Sequence, residues 1–427
     1  MLTCFEIVEG IGALLLVLYL SYSLFALLAR PSAAAPPARP LHFTFLIPAL
    51  NEEAVIGATL RNLRATAPEA RVVVIDDGSD DTTAQQVLAL AEQDPRVALL
   101  SRRPPHAQTG KGEALNWGVG QLLRQNLLPP APLDEQVLVV FDADGRLDDR
   151  LLAEARAAFA DPDVMAAQAR IRVRQSGAQT GAQAAGWRGW LARLLLLQQD
   201  LEFYIVRHIQ LLRQRVQTVG LGGNGQFMRL SYLAAQLRAG HSPWPPVLLE
   251  DFASGLEVRL ASPRYRLVFL ESGVTQQGVT DVRRFLRQRA RWTHGNLQCF
   301  PRLGRVWRAP MPLGARLDLT YFLAQPWLNL LTLGLLVYYP ARAVQRLLTG
   351  EVNWPLTLAL LALNLSIPLA WVLLYSRENR LTPRRAAFAA LGMPLYMLIM
   401  MLSVPLAFRN FFRGQHGWAK TARHAET

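Results

Sequence analysis

Residues 11–29 (IGALLLVLYLSYSLFALLA) carry no charge and reach the roughly 20 residues that a helix needs to cross the hydrocarbon core of a bilayer. Three further apolar stretches, at about 318–339, 354–375 and 386–408, are long enough to do the same. A chain of 427 residues that is 51% hydrophobic therefore accommodates a membrane portion and one ordinary domain between its apolar ends. The small residues at 33–35 allow a cleaved signal peptide, but the cytoplasmic character of the chain beyond residue 40 favours an uncleaved anchor. Cys4 and Cys299 are the only cysteines, which excludes a disulfide framework and a zinc cluster.

The net charge is +13 and almost all of it is arginine; Lys111 and Lys420 are the only lysines. Arginines crowded beside membrane segments suit anionic headgroups better than nucleic acid, and no nucleic-acid partner is expected. Glu6 and Glu9 precede the first span without a base, whereas Arg30 and Arg39 come after it, so the N-terminus is expected outside and the next segment inside. The expected plan is an anchor (1–30), a linker (31–40), a cytoplasmic domain (41–280), an amphipathic interfacial region (281–317), about three spans (318–408) and a basic tail (409–427). One conflict stands in it. Three spans put the tail outside, yet Arg409, Arg413, Lys420 and Arg423 favour inside. Either one apolar segment is re-entrant or interfacial, or the charge rule fails.

Between the apolar ends, β-rich runs at 42–48, 71–75, 97–100 and 137–141 alternate with helical patterns at 53–66, 82–93, 113–124 and 150–159. Such alternation predicts an α/β domain with a parallel sheet and crossover helices, whose ligands bind beyond the carboxyl ends of the strands. The chain continues with a Gly/Gln/Ala-rich interruption (174–186), a long helix (187–216), a glycine loop (220–225) and an amphipathic helix with five arginines (281–298).

Four motifs and one lysine carry chemistry. Asp76 and Asp77, with Gly78 and Ser79, come directly after a strand; they can accept hydrogen bonds from a base or ribose, or form a turn that caps a helix. Asp142 and Asp144 stand after another strand, one residue apart, and so point the same way. They can hold a hard divalent cation that also takes diphosphate oxygens, or be a solvated turn. Lys111 can neutralise phosphates as a point charge, or be a solvated loop lysine. Glu250 and Asp251 can supply a general base, or be helix N-terminal acids favoured by the macrodipole. Gln288, Arg291 and Trp292 share a helical face at i, i+3 and i+4. The indole can stack on a sugar and the guanidinium can meet a diphosphate, while the same face can also anchor an interfacial helix.

These motifs, together with Ile47-Pro48-Ala49-Leu50-Asn51-Glu52, Lys111-Gly112-Glu113-Ala114-Leu115-Asn116 and the segment 222–229, run in the order found in the family 2 membrane glycosyltransferases, which the chain resembles. That inverting group includes cellulose, hyaluronan, chitin-oligosaccharide and poly-N-acetylglucosamine synthases. The resemblance implies a GT-A, Rossmann-like catalytic domain flanked by transmembrane helices in the inner membrane. It also implies a nucleotide-sugar donor of the UDP-linked kind, and Mg²⁺ or Mn²⁺ at Asp144 with Asp142 in support. By the same carry-over, Asp76 or Asp77 holds the nucleoside, Lys111 the diphosphate, and Asp251, beside Glu250, is the base. Gln288, Arg291 and Trp292 frame the diphosphate and the acceptor sugar, with Gly223 and Asn224 on the acceptor side.

The segment 222–227 lacks the cysteine-bearing acceptor loop of cellulose synthases, Leu249 stands where a threonine is usual, and no cyclic-dinucleotide receptor domain comes after the membrane part. Cellulose synthesis under that control is disfavoured. The leading expectation is extension of a cell-envelope polysaccharide, with accessory export proteins as candidate partners. The alternatives are addition of one sugar to a lipid, and a non-catalytic scaffold.

Overall fold

The computed structural model describes residues 4–31, 40–125, 127–175 and 186–414. Most of the expected linker, most of the interruption at 174–186 and the tail beyond 414 lie outside them. In chain order the elements begin α1 (Cys4–Leu27), β1 (His42–Ala49), α2 (Ile56–Thr66), β2 (Arg71–Asp76), α3 (Thr83–Ala91), β3 (Val97–Ser101), α4 (Lys111–Arg124), β4 (Gln136–Val140), β5 (Arg146–Leu147) and α5 (Leu151–Phe159). They continue with β6 (Val164–Val173), α6 (Gly186–Arg215), β7 (Gln226–Arg229), α7 (Leu230–Arg238), α8 (Glu250–Ala261), β8 (Arg266–Gln276), α9 (Val282–Cys299) and α10 (Leu303–Arg308). The last are α11 (Leu313–Thr349), α12 (Trp354–Glu378), α13 (Pro383–Met401) and α14 (Ser403–Phe412).

The strands form one sheet in the order β3-β2-β1-β4-β7-β6-β8-β5. β3, β2, β1 and β4 are mutually parallel, as the alternation predicts, and the chain enters each near the sequence-predicted residue. The other half departs from that pattern: β7 runs antiparallel to both β4 and β6, while β8 is parallel to β6. Short runs such as Gln226–Arg229 have too little apolar periodicity to announce themselves as strands.

Alternate side chains of the central strands feed opposite faces. Phe43, Phe45 and Ile47 of β1 pack with α2, α3 and α5, whereas Leu46 packs with Val73, Ile75 and helices α4, α7 and α8. The domain is thus a sheet between two helical layers, with strands apolar on both faces because both are covered. Each fully buried Val, Ile or Leu contributes ~1.5–3 kcal/mol, which fixes the strand ends where the ligand-facing loops begin.

Four helical stretches are long and apolar enough to cross a membrane: Phe5–Leu27, Leu313–Thr349, Trp354–Glu378 and Pro383–Phe412. They do not pack alike. Only 11% of the apolar window is buried in α11 and in α12, against 44% in the α13–α14 stretch. α13 lies along α6: Gln198 Nε2 donates to Ala389 O at 2.7 Å, and a Cβ on Gly392 would stand 2.1 Å from the Leu194 side chain. α14 then packs on α9 through Val404, Phe408 and Leu297.

Candidate active site

The sheet delivers its loops to a cavity of ≈ 350 Å³ beyond the carboxyl ends of β1 and β4. Lys111, Asp142, Gly223, Asn224, Glu250, Asp251, Gln288, Arg291 and Trp292 all line it, so the structure brings together residues that lie up to 181 positions apart, 292 minus 111. Lys111 starts α4 just after Gly110, whose φ of 136° is open to glycine. Glu250 and Asp251 open α8, where the helix dipole favours negative charge.

Lys111 is the hub. Its Nζ donates to Asp142 Oδ1 at 2.7 Å and to Gly223 O at 2.8 Å. A Cβ on Gly223 would stand 3.1 Å from that Nζ and 3.4 Å from Asp251 Oδ2, so a side chain at 223 would intrude between the lysine and the acid. Burial works against the lysine's charge, yet Asp142, Glu250 and Asp251 together hold its pKa above the ordinary range. Burial pushes Glu250 up to about 7, with the Asp251 charge adding to it and Lys111 opposing it. Asp251 is also raised by burial, against the opposing pull of the Phe252 N–H, Lys111 and Arg291. Its Oδ1 accepts that Phe252 N–H at 2.7 Å.

The remaining motif residues sit elsewhere. Asp144 is fully buried and does not line the cavity; its Oδ2 accepts the Gln277 N–H at 2.8 Å. Asp76 and Asp77 are also off the cavity wall. Asp76 pairs with Arg103 at 2.7 Å and accepts the Ser79 N–H at 3.0 Å, while Asp77 pairs with Arg102 at 2.5 Å. Burial raises the Asp77 pKa despite that arginine. Among the described residues no group of three or more His, Cys, Asp or Glu forms a ready-made metal cage. A divalent ion that arrives with diphosphate needs only one or two carboxylates; of the two expected to hold it, Asp142 lines the cavity, whereas Asp144 is buried behind it and bonds the Gln277 N–H.

The family profile described as glycosyl transferase family group 2 matches residues 137–403, and that described as glycosyl transferase family 2 matches residues 44–219. The first covers more than half of the chain. The protein is a family 2 glycosyltransferase.

Among its relatives, the beta-monoglucosyldiacylglycerol synthase of Synechocystis sp. is 27% identical over 407 residues, covering 90% of this chain and 75% of that one. The enzyme of the same name from Trichormus variabilis is 30% identical over 281 residues, 61% of this chain and 52% of its own length. The chain thus matches only about half of that second relative. In fold, it is similar to mannosyltransferase PcManGT from Pyrobaculum calidifontis, solved with GDP-Man and Mn²⁺, at a TM-score of 0.59 and 20% identity, over 96% of this chain and 99% of that one. That likeness is to a GT-A domain.

Further contacts in this glycosyltransferase hold the motifs in place. Asn224 accepts the Asp142 N–H at 3.2 Å and donates to Gln276 at 3.2 Å, so the acidic motif hangs from the glycine loop. Gly225, at φ 70°, lies where a Cβ would approach Ala169 Cβ to 2.9 Å. Gln168 clamps the same loop, accepting the Gly222 N–H at 2.6 Å and donating to Asn224 O at 2.9 Å. On α9, Arg289 stacks on Trp292 with its guanidinium 4.2 Å from the ring centroid. Two 2.8 Å hydrogen bonds to Glu202 fix that arginine, and Tyr396 of α13 also bonds the same glutamate. Sequence reasoning passes over Arg289 because its partners come from α6 and α13, distant in the chain. The apolar wall is likewise composite: Phe203 and Val206 from α6, Phe252 from α8 and Phe322 from α11.

Proposed function

We propose that the enzyme transfers a single hexose from a nucleoside-diphosphate sugar to the free hydroxyl of a diacylglycerol-type lipid. One observation carries this reading: the cavity holding Lys111 and the acid pair is completed by Phe322, from a helix apolar enough to cross a membrane. Phe252, the next residue after Asp251, stacks on Phe322 at 4.2 Å between ring centroids. A lipid hydroxyl can therefore approach the base with its chains still on the membrane side. The two diacylglycerol-glucosylating relatives support the same acceptor. This reverses the order in which the sequence ranks polysaccharide and lipid.

Asp251 takes the proton as the lipid oxygen attacks the anomeric carbon from the face opposite the leaving diphosphate. The new glycosidic bond forms with inversion while the bond to phosphate breaks. Lys111 and Arg291 balance charge on the departing diphosphate, and Trp292, steadied by Arg289, offers a stacking face to the sugar. A divalent cation, when bound, would neutralise the same diphosphate; Asp142 on the cavity wall would hold it, joined by Asp144 if that carboxylate turns from the Gln277 N–H. Asp76 and Asp77, pinned by Arg103 and Arg102, would shape the nucleoside side through their loops.

Turnover of the full chain in nanodiscs tests this proposal. With Mn²⁺ and a panel of nucleotide sugars, release of nucleoside diphosphate should require diacylglycerol in the disc. Release without that lipid, accompanied by long glycan, would overturn the acceptor assignment.

The same reading includes a topology: a catalytic domain on the cytoplasmic face, crossings by α1, α11 and α12, and α13–α14 lying at the interface. The burial of α13 on α6 supports it, and it satisfies Arg409 and Arg413 on the inside. Glu351→Cys and Gly414→Cys should then react with an impermeant maleimide from opposite sides of the membrane. Labelling from one side would mean that α13–α14 crosses.

A further inference from the structure

The membrane-side wall of the cavity holds a charged group that the chemistry above does not use. Arg213 of α6 lines the cavity and is only 3% exposed. Its Nε donates to Asp318 Oδ2 at 2.9 Å, and Asp318 Oδ1 accepts the Tyr22 hydroxyl at 3.1 Å. One ion pair thereby joins α6 to α11 and α1. The guanidinium lies 4.8 Å from the Phe322 ring centroid and 6.0 Å from that of Phe252. Its Nη2 is buried without a hydrogen-bond partner among the described residues.

A buried guanidinium N–H is costly to leave without an acceptor, and both neighbouring rings supply only π-faces. We infer that Arg213 is an acceptor-binding residue whose Nη2 donates to an ester carbonyl of diacylglycerol, the acyl chains lying against Phe203, Val206, Phe252 and Phe322. The inference rests on the lipid-acceptor reading above. Asp251 and Phe252 are consecutive, so the glycerol hydroxyl meets the base while the first carbons of the chains pass the ring. Charge decides between carbonyl and phosphate. Asp318 already balances Arg213, and Glu378 and Glu271 balance the Arg170 and Arg207 that also line the cavity, so a lipid phosphate would bring negative charge to arginines that are already paired. An uncharged carbonyl takes the remaining N–H without that penalty.

Two experiments on the full chain in nanodiscs test this. In the first, a diacylglycerol with a diazirine on its acyl chain is photolysed and the crosslinked peptides are mapped. Crosslinks at Phe203, Val206, Phe252 or Phe322, competed by plain diacylglycerol and not by phosphatidic acid, are expected. Crosslinks confined to outward residues such as Leu331 and Leu358, which are 48% and 59% exposed, would overturn the subsite. Equal competition by phosphatidic acid would overturn the carbonyl assignment in favour of phosphate. In the second, Arg213→Met is combined with Asp318→Asn, so that no acid is left buried and unpaired. The KM for diacylglycerol should rise at least about tenfold while that for the nucleotide sugar stays within about twofold. An unmoved lipid KM would contradict the role of Arg213. Crosslinking needs no turnover, so wild-type protein that crosslinks here yet puts no sugar on diacylglycerol would end the lipid-transfer reading and leave the subsite standing.

Discussion

The two ends of the cavity are built on opposite principles. The sugar-side end concentrates charge: Lys111, Asp142, Glu250, Asp251 and Arg291 share a small volume, where burial raises both acids and the acids hold the Lys111 pKa up against burial. The membrane-side end is aromatic and aliphatic where Phe203, Val206, Phe252 and Phe322 meet, and its arginines, Arg207 and Arg213, are each tied to an acid. The contrast teaches that the fold supplies charge from a strand end and from the first turns of α4 and α8, with Arg291 from α9, and an apolar wall from α6 and α11. Charged groups held out of water act strongly on developing charge. Under the proposed function, an apolar wall contributed by a helix long and apolar enough to cross a membrane would select an acceptor that already resides in the bilayer.

The sharpest way to break this division is at the acid. Asp251→Asn should lower kcat by about 10²–10⁴-fold, the usual share of a general base, with the donor KM nearly unchanged; steady-state kinetics near wild-type values would remove the base assignment. Next is the hub. Lys111→Met leaves Asp142 and the acid pair facing one another; loss of one partner of a fully buried pair costs about 3–5 kcal/mol, and this part-buried pair should cost less. Thermal melts should fall accordingly and donor affinity should drop, whereas a silent substitution would mean that the acids are neutral without it.

A smaller effect sharpens the electrostatic end. Glu250 titrates at about 7 in the folded protein against an ordinary 4.5, so its proton favours the folded state fully below 4.5 and that contribution is lost as pH rises towards 7. The decline in melting temperature across this window should flatten in Glu250→Gln. Activity should move the other way, rising with pH as the acid pair, both members raised by burial, ionises. The smallest effect belongs to the apolar end. Phe322→Ala should raise the lipid KM about tenfold, the ~1.4 kcal/mol expected for losing part of an aromatic contact, and leave the donor KM alone. Equal changes in both would mean that the two ends are not separate.

The charged end was legible in the sequence because its residues come as short motifs at strand and helix ends: Asp142 after β4, Glu250 and Asp251 opening α8, and the Gln288/Arg291/Trp292 face of α9. The parallel half of the sheet was legible through period-2 apolar runs alternating with helical ones. The apolar end was not, because Phe203, Val206, Arg213, Phe252 and Phe322 are single residues on three helices that become neighbours only through packing. Hydropathy also failed to separate α12 from the α13–α14 stretch. The two are nearly equally apolar, yet one is 11% buried and the other 44%. The difference lies in α6 and α9, which receive α13 and α14, and no property of the received stretch itself marks it. Asp76 and Asp77 read as ligand-facing from local pattern, but Arg102 and Arg103 engage both carboxylates.

The mass of the reaction product tests the central claim most directly. Wild-type protein in nanodiscs containing diacylglycerol, given the nucleotide sugar that it consumes, should yield lipid heavier by one hexose and nothing longer. A ladder of glycan masses, or free oligosaccharide without glycosylated lipid, would contradict the account and return the enzyme to polysaccharide synthesis.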